Sequence, residues 1–191
     1  KATQKRMMGT IWVGMIGGGF LIALAFEFFG VRIFDIIFPK LVYYPYGQIS
    51  IWTAFFAIFS FMPLNLLQAE EKPKQYVYWT SATLLLTVAV TVAFVVFLEL
   101  GAYGYLLATL VANIIMAIPF TWMTLKNIDL TIDFSYLKKA VTFSLPLLPH
   151  GISNWVLAVS DRAILQFYVS VSALGIYSLG YTFGMIQIFI G

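Results

Sequence analysis

The chain has 191 residues, of which 61% are apolar and only 10% are charged. Soluble domains carry about 45–50% apolar and about 25% charged residues, so this chain has too few polar side chains to face water. The composition excludes an ordinary soluble domain and predicts an integral membrane protein. The net charge of +3 comes from basic residues scattered between apolar runs, which form no basic patch for nucleic acid.

Cysteine is absent and His150 is the only histidine. These counts exclude disulfides, thiol catalysis and multi-histidine metal sites. The glycine run at residues 17–19 is not a nucleotide loop, because no Lys or Ser/Thr follows at the spacing that a P-loop needs. We therefore predict that the protein is not an enzyme and that it has no catalytic residue, no cofactor and no metal.

Six runs are apolar enough to cross a membrane as helices, which takes about 20 residues each. In chain order they cover residues 8–29, 48–67, 76–98, 103–125, 140–160 and 173–191. None shows the alternation over about ten residues that a β-barrel strand requires. The prediction is an all-α fold with six transmembrane helices. The last run continues to Gly191 without a polar flank, so we expect an internal piece of a longer protein.

The basic residues predict the orientation of these spans, because positive charge collects in cytoplasmic loops. One side of the membrane would hold Lys1, Lys5, Arg6, Lys72, Lys74, Lys126, Lys138 and Lys139. The other side would hold Arg32, Lys40 and Arg162. This excess predicts that residue 1 lies on the cytoplasmic side and that odd-numbered spans run outward.

Two linkers have a distinct character. Residues 30–47 contain Tyr43, Tyr44 and Tyr46, which suit the membrane–water interface. Residues 126–139 are too short and too charged to span, so we expect them to lie along the cytoplasmic surface. Asp133 or Ser135 is the expected N-cap of the helix that follows.

The fifth span is the most informative, because prolines remove backbone donors and interrupt helices. Pro146, Pro149 and Gly151 predict a bend or an opening in it. At about 100° per residue, His150 and Asn154 lie on one face of the helix, near mid-membrane. Such a polar face on a broken helix fits a substrate cavity, or else a kinked helix whose polar groups bond to neighbouring spans.

Other polar groups in the spans are open to two interpretations. Asn113 and Gln187 either line the same cavity or join helices by hydrogen bonds. Asp161 and Arg162 are predicted to form a structural pair at the outer interface, with Arg162 capping the helix end or reaching the headgroups. Glu27, near the outer end of the first span, is expected simply to reach water.

The stretch FSLPLLPHGISNWVLAVSDRAILQFYVSVSALGIYSLGY resembles the polysaccharide-export flippases, the Wzx-like branch of the multidrug/oligosaccharidyl-lipid/polysaccharide exporter superfamily. The resemblance depends on a Leu-Pro-x-x-Pro run, an Asp-Arg pair and a Gly-x-Tyr-Ser run. In this chain these are Leu145, Pro146 and Pro149, then Asp161 and Arg162, then Gly175, Ile176, Tyr177 and Ser178. The hairpin Leu100-Gly101-Ala102-Tyr103-Gly104 is also similar to one in that family.

The resemblance implies a larger exporter built from two helical bundles. Residues 1–125 would complete the first bundle, residues 126–139 would link the bundles as a hinge, and residues 140–191 would begin the second. The protein would flip an undecaprenyl-pyrophosphate-linked oligosaccharide across the inner membrane by alternating access. Implied partners are that lipid-linked oligosaccharide, membrane lipids and a polysaccharide polymerase or ligase.

Three rival functions remain open at the level of sequence. A drug or metabolite antiporter of the same superfamily would have the same fold, but it would need a membrane-embedded carboxylate for ion coupling. A membrane enzyme of glycan assembly would need clustered polar residues on a large outer loop. A structural scaffold without cargo is the third, and the broken fifth span argues against it only weakly.

Overall fold

The computed structural model describes residues 2–37 and 43–188, with most of the side chains in these ranges. These residues form helices and no strands, which confirms the predicted all-α fold. The helices are α1 (Ala2–Ile37), α2 (Gln48–Ala69), α3 (Pro73–Val92), α4 (Gly101–Asn127), α5 (Phe134–Ser144), α6 (Leu148–Tyr168) and α7 (Val171–Ile188). A kinked segment, Tyr43–Gly47, precedes α2, with Tyr44 in a non-helical conformation (φ −91°, ψ 131°). A π-helical turn extends α3 through Ala93–Phe97.

Within the described ranges, four helical stretches are long and apolar enough to cross a membrane. They are Thr3–Asp35, Tyr43–Ala69, Pro73–Phe97 and Gly101–Asn127. They correspond to the first four predicted spans, with α1 continuing eight residues past its predicted end at residue 29. The fifth and sixth predicted spans, on α6 and α7, are not among them. In α6 the polar residues His150, Asn154, Asp161 and Arg162 lower the hydropathy.

Helix α4 is central to the packing of the first four helices, since it contacts both α2 and α3 while α1 packs on α2. Its buried face has small residues at every fourth position, Gly104, Ala108 and Ala112, before the larger Met116 and Phe120. Residues four apart lie on the same face of a helix. Small side chains on that face let the neighbouring backbones approach closely, which is how membrane helices associate without a hydrophobic driving force.

The loop between α1 and α2 shows that one of the three tyrosines predicted at the membrane–water interface is buried. Tyr43 is 2% exposed, and its hydroxyl donates a hydrogen bond to the carbonyl of Phe26 at 2.8 Å. Gly30 makes room for the ring, since a Cβ there would lie 2.6 Å from the tyrosine oxygen. Tyr44 and Tyr46 are 47% and 43% exposed, as interface residues would be. Tyr43 is therefore a packing residue, because its polar tip finds a backbone acceptor inside the protein.

Between α4 and α5 the chain runs without helical structure through residues 128–133, here called the strap. Its two ends, Ile128 and Asp133, have extended backbone angles. The predicted N-cap of α5 is confirmed as Asp133, whose carboxylate accepts a hydrogen bond from the backbone N–H of Ser135 at 2.8 Å. Helix α5 begins at Phe134, six residues before the predicted fifth span, and packs against α1.

Candidate functional site

The interruption of the fifth span lies between α5 and α6. Leu145–Leu147 forms one 3-10 turn that contains Pro146, and α6 begins at Leu148. Pro149 lies in the first turn of α6, where its missing N–H removes no helical hydrogen bond. Gly151 lies inside the regular helix, so it does not contribute to the break. The interruption thus lies at the turn that contains Pro146, with Pro149 directly after it in the first turn of α6.

Immediately beyond this turn, His150 and Asn154 form a hydrogen-bonded pair. Their side-chain nitrogens Nε2 and Nδ2 are 3.2 Å apart, one turn of α6 from each other, and both residues are exposed. With the amide as donor, the imidazole accepts at Nε2 and carries its proton on Nδ1. The pair then offers a ligand two N–H donors, the imidazole Nδ1–H and the second amide N–H, and one amide oxygen acceptor. Hydroxyl groups, which both donate and accept, suit this combination.

Of the two other cavity candidates, only Asn113 has a described side chain, and it is not joined to this pair. Asn113 is half-buried on α4, and its Nδ2 donates to the carbonyl of Thr109 in the same helix at 2.9 Å. The side chain of Gln187 lies outside the described residues. The candidate site of the described chain therefore consists of His150 and Asn154.

Asp161 and Arg162 both contact α7. The hydroxyl of Tyr177 donates to Asp161 Oδ2 at 3.3 Å, and the Arg162 guanidinium carbon lies 4.7 Å from the centre of the Tyr181 ring. The expectation that Arg162 caps the end of its helix is wrong, because α6 continues to Tyr168. The guanidinium instead lies over an aromatic face, a favourable cation–π arrangement.

These contacts bring together two of the sequence motifs. The Asp-Arg pair is on α6, whereas Tyr177 belongs to the Gly-x-Tyr-Ser run on α7. A short connection at Val169 and Ser170 joins the two helices, and Ser170 Oγ accepts from the backbone N–H of Ala173 at 3.2 Å. The motifs therefore meet across a helical hairpin.

Glu27 does not simply reach water as expected. It is half-buried on α1, and its Oε1 accepts a hydrogen bond from Nε2 of Gln48 at 2.6 Å. Its second oxygen, Oε2, is buried and has no hydrogen-bonding partner among the residues that the structure describes. The two residues are 21 positions apart, so the pairing depends on how α1 packs against α2 and has no local sequence signal.

Sequence reasoning also missed Thr10, because it lies within the first apolar run and has no polar neighbour that would indicate a role. It is 1% exposed, and its hydroxyl bonds to the backbone of the strap. No spacing rule connects positions 121 residues apart. Across the described chain, no three His, Asp or Glu residues come together in the way that a metal site requires.

A protein-family model described as polysaccharide biosynthesis protein matches residues 1–189 of the chain. The chain belongs to the polysaccharide biosynthesis protein family. This confirms the resemblance to Wzx-like flippases, and with the four membrane-length helices it supports a role in polysaccharide biosynthesis or transport. Comparison with curated proteins and with solved structures gives no significant match.

Proposed function

We propose that the chain is part of a transporter that moves a lipid-linked oligosaccharide, of the undecaprenyl-pyrophosphate type, across the inner membrane for surface polysaccharide assembly. The observation that carries this proposal is family membership over residues 1–189, together with four helices of membrane-spanning length. The transporter works by alternating access and makes or breaks no covalent bond. Its partners are the lipid-linked oligosaccharide, membrane lipids and a polysaccharide polymerase or ligase.

The architecture that goes with this function has six spans in two bundles. Residues 1–125 end the first bundle, residues 126–139 connect the bundles, and residues 140–191 begin the second. One contact supports an even number of crossings in the first part: the backbone N–H of Asp129 donates to the carbonyl of Lys5 at 3.3 Å. The start of α1 and the end of α4 therefore lie on the same side. The basic residues near both ends support the proposal that this side faces the cytoplasm.

Substrate contact is proposed at His150 and Asn154. Irregular backbone is tolerated at membrane depth where it lines a cavity or is buried in protein, and the turn at Leu145–Leu147 adjoins this pair. The two N–H donors and the amide oxygen acceptor that the pair leaves available suit sugar hydroxyls. If the pair lines a cavity, the protein should still fold when the two residues are substituted, but it should lose transport when both polar groups are removed.

The test uses cells that lack the intact protein and carry variants of the full-length chain. His150→Leu and Asn154→Leu should reach the membrane in normal amounts but fail to restore surface polysaccharide, while lipid-linked oligosaccharide accumulates. Ser153→Ala is the matched control, because the Ser153 hydroxyl donates to the carbonyl of Pro149 in its own helix at 2.8 Å. Full restoration of surface polysaccharide by both leucine variants would remove this pair from the site.

One observation favours a second candidate, a drug or metabolite antiporter of the same superfamily. Ion coupling needs a carboxylate within the membrane region, and Glu27 on α1 is half-buried with one enclosed oxygen. If the protein is an antiporter, deleting its gene should leave surface polysaccharide unchanged and should alter the resistance of the cells to exported compounds. Measuring both phenotypes in the same deletion strain separates the two functions.

A further inference from the structure

The strap is attached to the first turns of α1 through Thr10. The Thr10 hydroxyl oxygen lies 2.7 Å from the carbonyl oxygen of Thr131 and 3.0 Å from that of Arg6, and it accepts a hydrogen bond from the backbone N–H of Asp133 at 3.2 Å. Thr10 is 1% exposed. Two backbone groups of the strap thus depend on one buried hydroxyl.

Gly9 provides the second half of this attachment. A Cβ at Gly9 would collide with the carbonyl oxygen of Asp129, so the strap backbone lies directly on the helix. The N–H of Asp129 reaches the carbonyl of Lys5 one turn earlier. Only glycine allows two backbones to approach this closely, because any other side chain at residue 9 would displace the strap.

The same register continues from the strap into α5. Thr10 meets Asp133, which is 123 positions later in the chain, and Gly14 meets Leu137 at the same separation. Helix α5 therefore runs along α1 in the same direction, with the strap as its first contact. After the turn at Leu145–Leu147, α6 packs mainly against that turn and α7 in the described chain.

We propose that Gly9 and Thr10 form a latch that holds the strap and α5 on α1, so that residues 128–144 move with the first four helices. Thr10 is a positioning residue: it holds the strap and α5, which include the first residues assigned to the second bundle, on the first bundle. The strap is then not the pivot, although a linker between bundles is the expected place for one, and bending takes place at Leu145–Leu147. The consequence for transport rests on the proposed alternating access, whereas the latch itself does not.

The chain contains no cysteine, so pairs of spin labels can be introduced without background. The intact protein is labelled at Leu21→Cys on α1 and Leu130→Cys on the strap, which are 67% and 61% exposed. A second pair, Phe143→Cys and Leu157→Cys, flanks the turn at exposures of 76% and 72%. Pulsed EPR in lipid nanodiscs should give a narrow distance distribution for the strap pair and a broader one for the pair across the turn.

Thr10→Val removes the hydroxyl at nearly constant volume and should abolish the narrow peak of the strap pair, and Thr10→Ser should restore it. The matched control is Thr124→Val. Thr124 is also 1% exposed, but its hydroxyl donates to the carbonyl of Phe120 in its own helix. This control should leave the narrow peak unchanged.

A broad strap distribution in the wild type, or one that Thr10→Val leaves narrow, would overturn the latch. If cells do not produce Thr10→Val, the two distance distributions of the wild-type protein test the proposal. A distribution for the strap pair as broad as that for the turn pair refutes it. Surface polysaccharide is measured in parallel. If the EPR distances are as predicted but the protein exports no glycan, the proposed function is refuted and the latch is still supported.

Discussion

Gly9→Ala is expected to destabilise the protein relative to Gly17→Ala, although both changes are made in α1. Inside a helix, alanine is favoured over glycine by about 1 kcal/mol, and both variants gain this term. At Gly17 an added Cβ meets no atom within 4 Å, whereas at Gly9 it collides with the carbonyl oxygen of Asp129. The difference in stability between the two variants therefore measures the effect of the contact between Gly9 and the strap.

The size of the effect follows from the cost of overpacking. Forcing an extra carbon into a filled site costs about 1–3 kcal/mol in displaced backbone. For a protein of about 150–250 residues, each kcal/mol shifts the melting temperature by about 2–4 °C. Gly9→Ala should therefore melt roughly 2–12 °C below Gly17→Ala.

The assay is thermal unfolding of the purified full-length variants in one detergent, followed by intrinsic tryptophan fluorescence. Tyrosine and tryptophan content is the same in both variants, so the signals compare directly. Gly17→Ala should melt at or slightly above the wild-type temperature. Equal melting temperatures for the two variants would refute the reasoning, because the strap could then not lie on Gly9.

Three further predictions concern topology, the hairpin and the outer end of α1. With an impermeant thiol reagent on intact cells, Tyr44→Cys should label and Gln75→Cys should not; the reverse pattern would invert the proposed orientation. Arg162→Lys should keep both protein level and export near normal, because a cation over an aromatic ring needs no planar fork; lost export at normal protein level would place Arg162 in the site. Glu27→Gln should retain its bond to Gln48, whereas Glu27→Leu should lower stability by about 1–3 kcal/mol in thermal unfolding, and equal stability would contradict the pairing.

The sequence was most informative where one local rule decides the structure. The length of an apolar run predicts a membrane helix, because hydrocarbon leaves backbone groups no partner outside the helix. The Asp133 cap and the His150–Asn154 pair depend on residues two and four positions apart, so both follow from helix geometry. Pro146 marks the break for the same reason, since a proline lacks the backbone N–H and its ring clashes with the carbonyl four residues earlier.

What the sequence could not provide are contacts between helices. Thr10 and Thr131 are 121 positions apart, and Glu27 and Gln48 are 21 apart, so each pairing depends on how whole helices pack. The end of α6 was placed too early because Asp161 and Arg162 resemble an interface boundary. The helix continues through them to Tyr168 because α7 supplies Tyr177 and Tyr181 as partners.

The most direct test of the central claim is flipping in proteoliposomes that contain the intact protein and a fluorescent undecaprenyl-pyrophosphate oligosaccharide. An impermeant quencher added outside reports the fraction of the lipid in the outer leaflet over time. The account predicts that wild-type protein carries inner-leaflet lipid to the quencher faster than vesicles without protein, and that His150→Leu with Asn154→Leu returns the rate to that background. A wild-type rate equal to that of protein-free vesicles, in vesicles shown to contain folded protein, would contradict it.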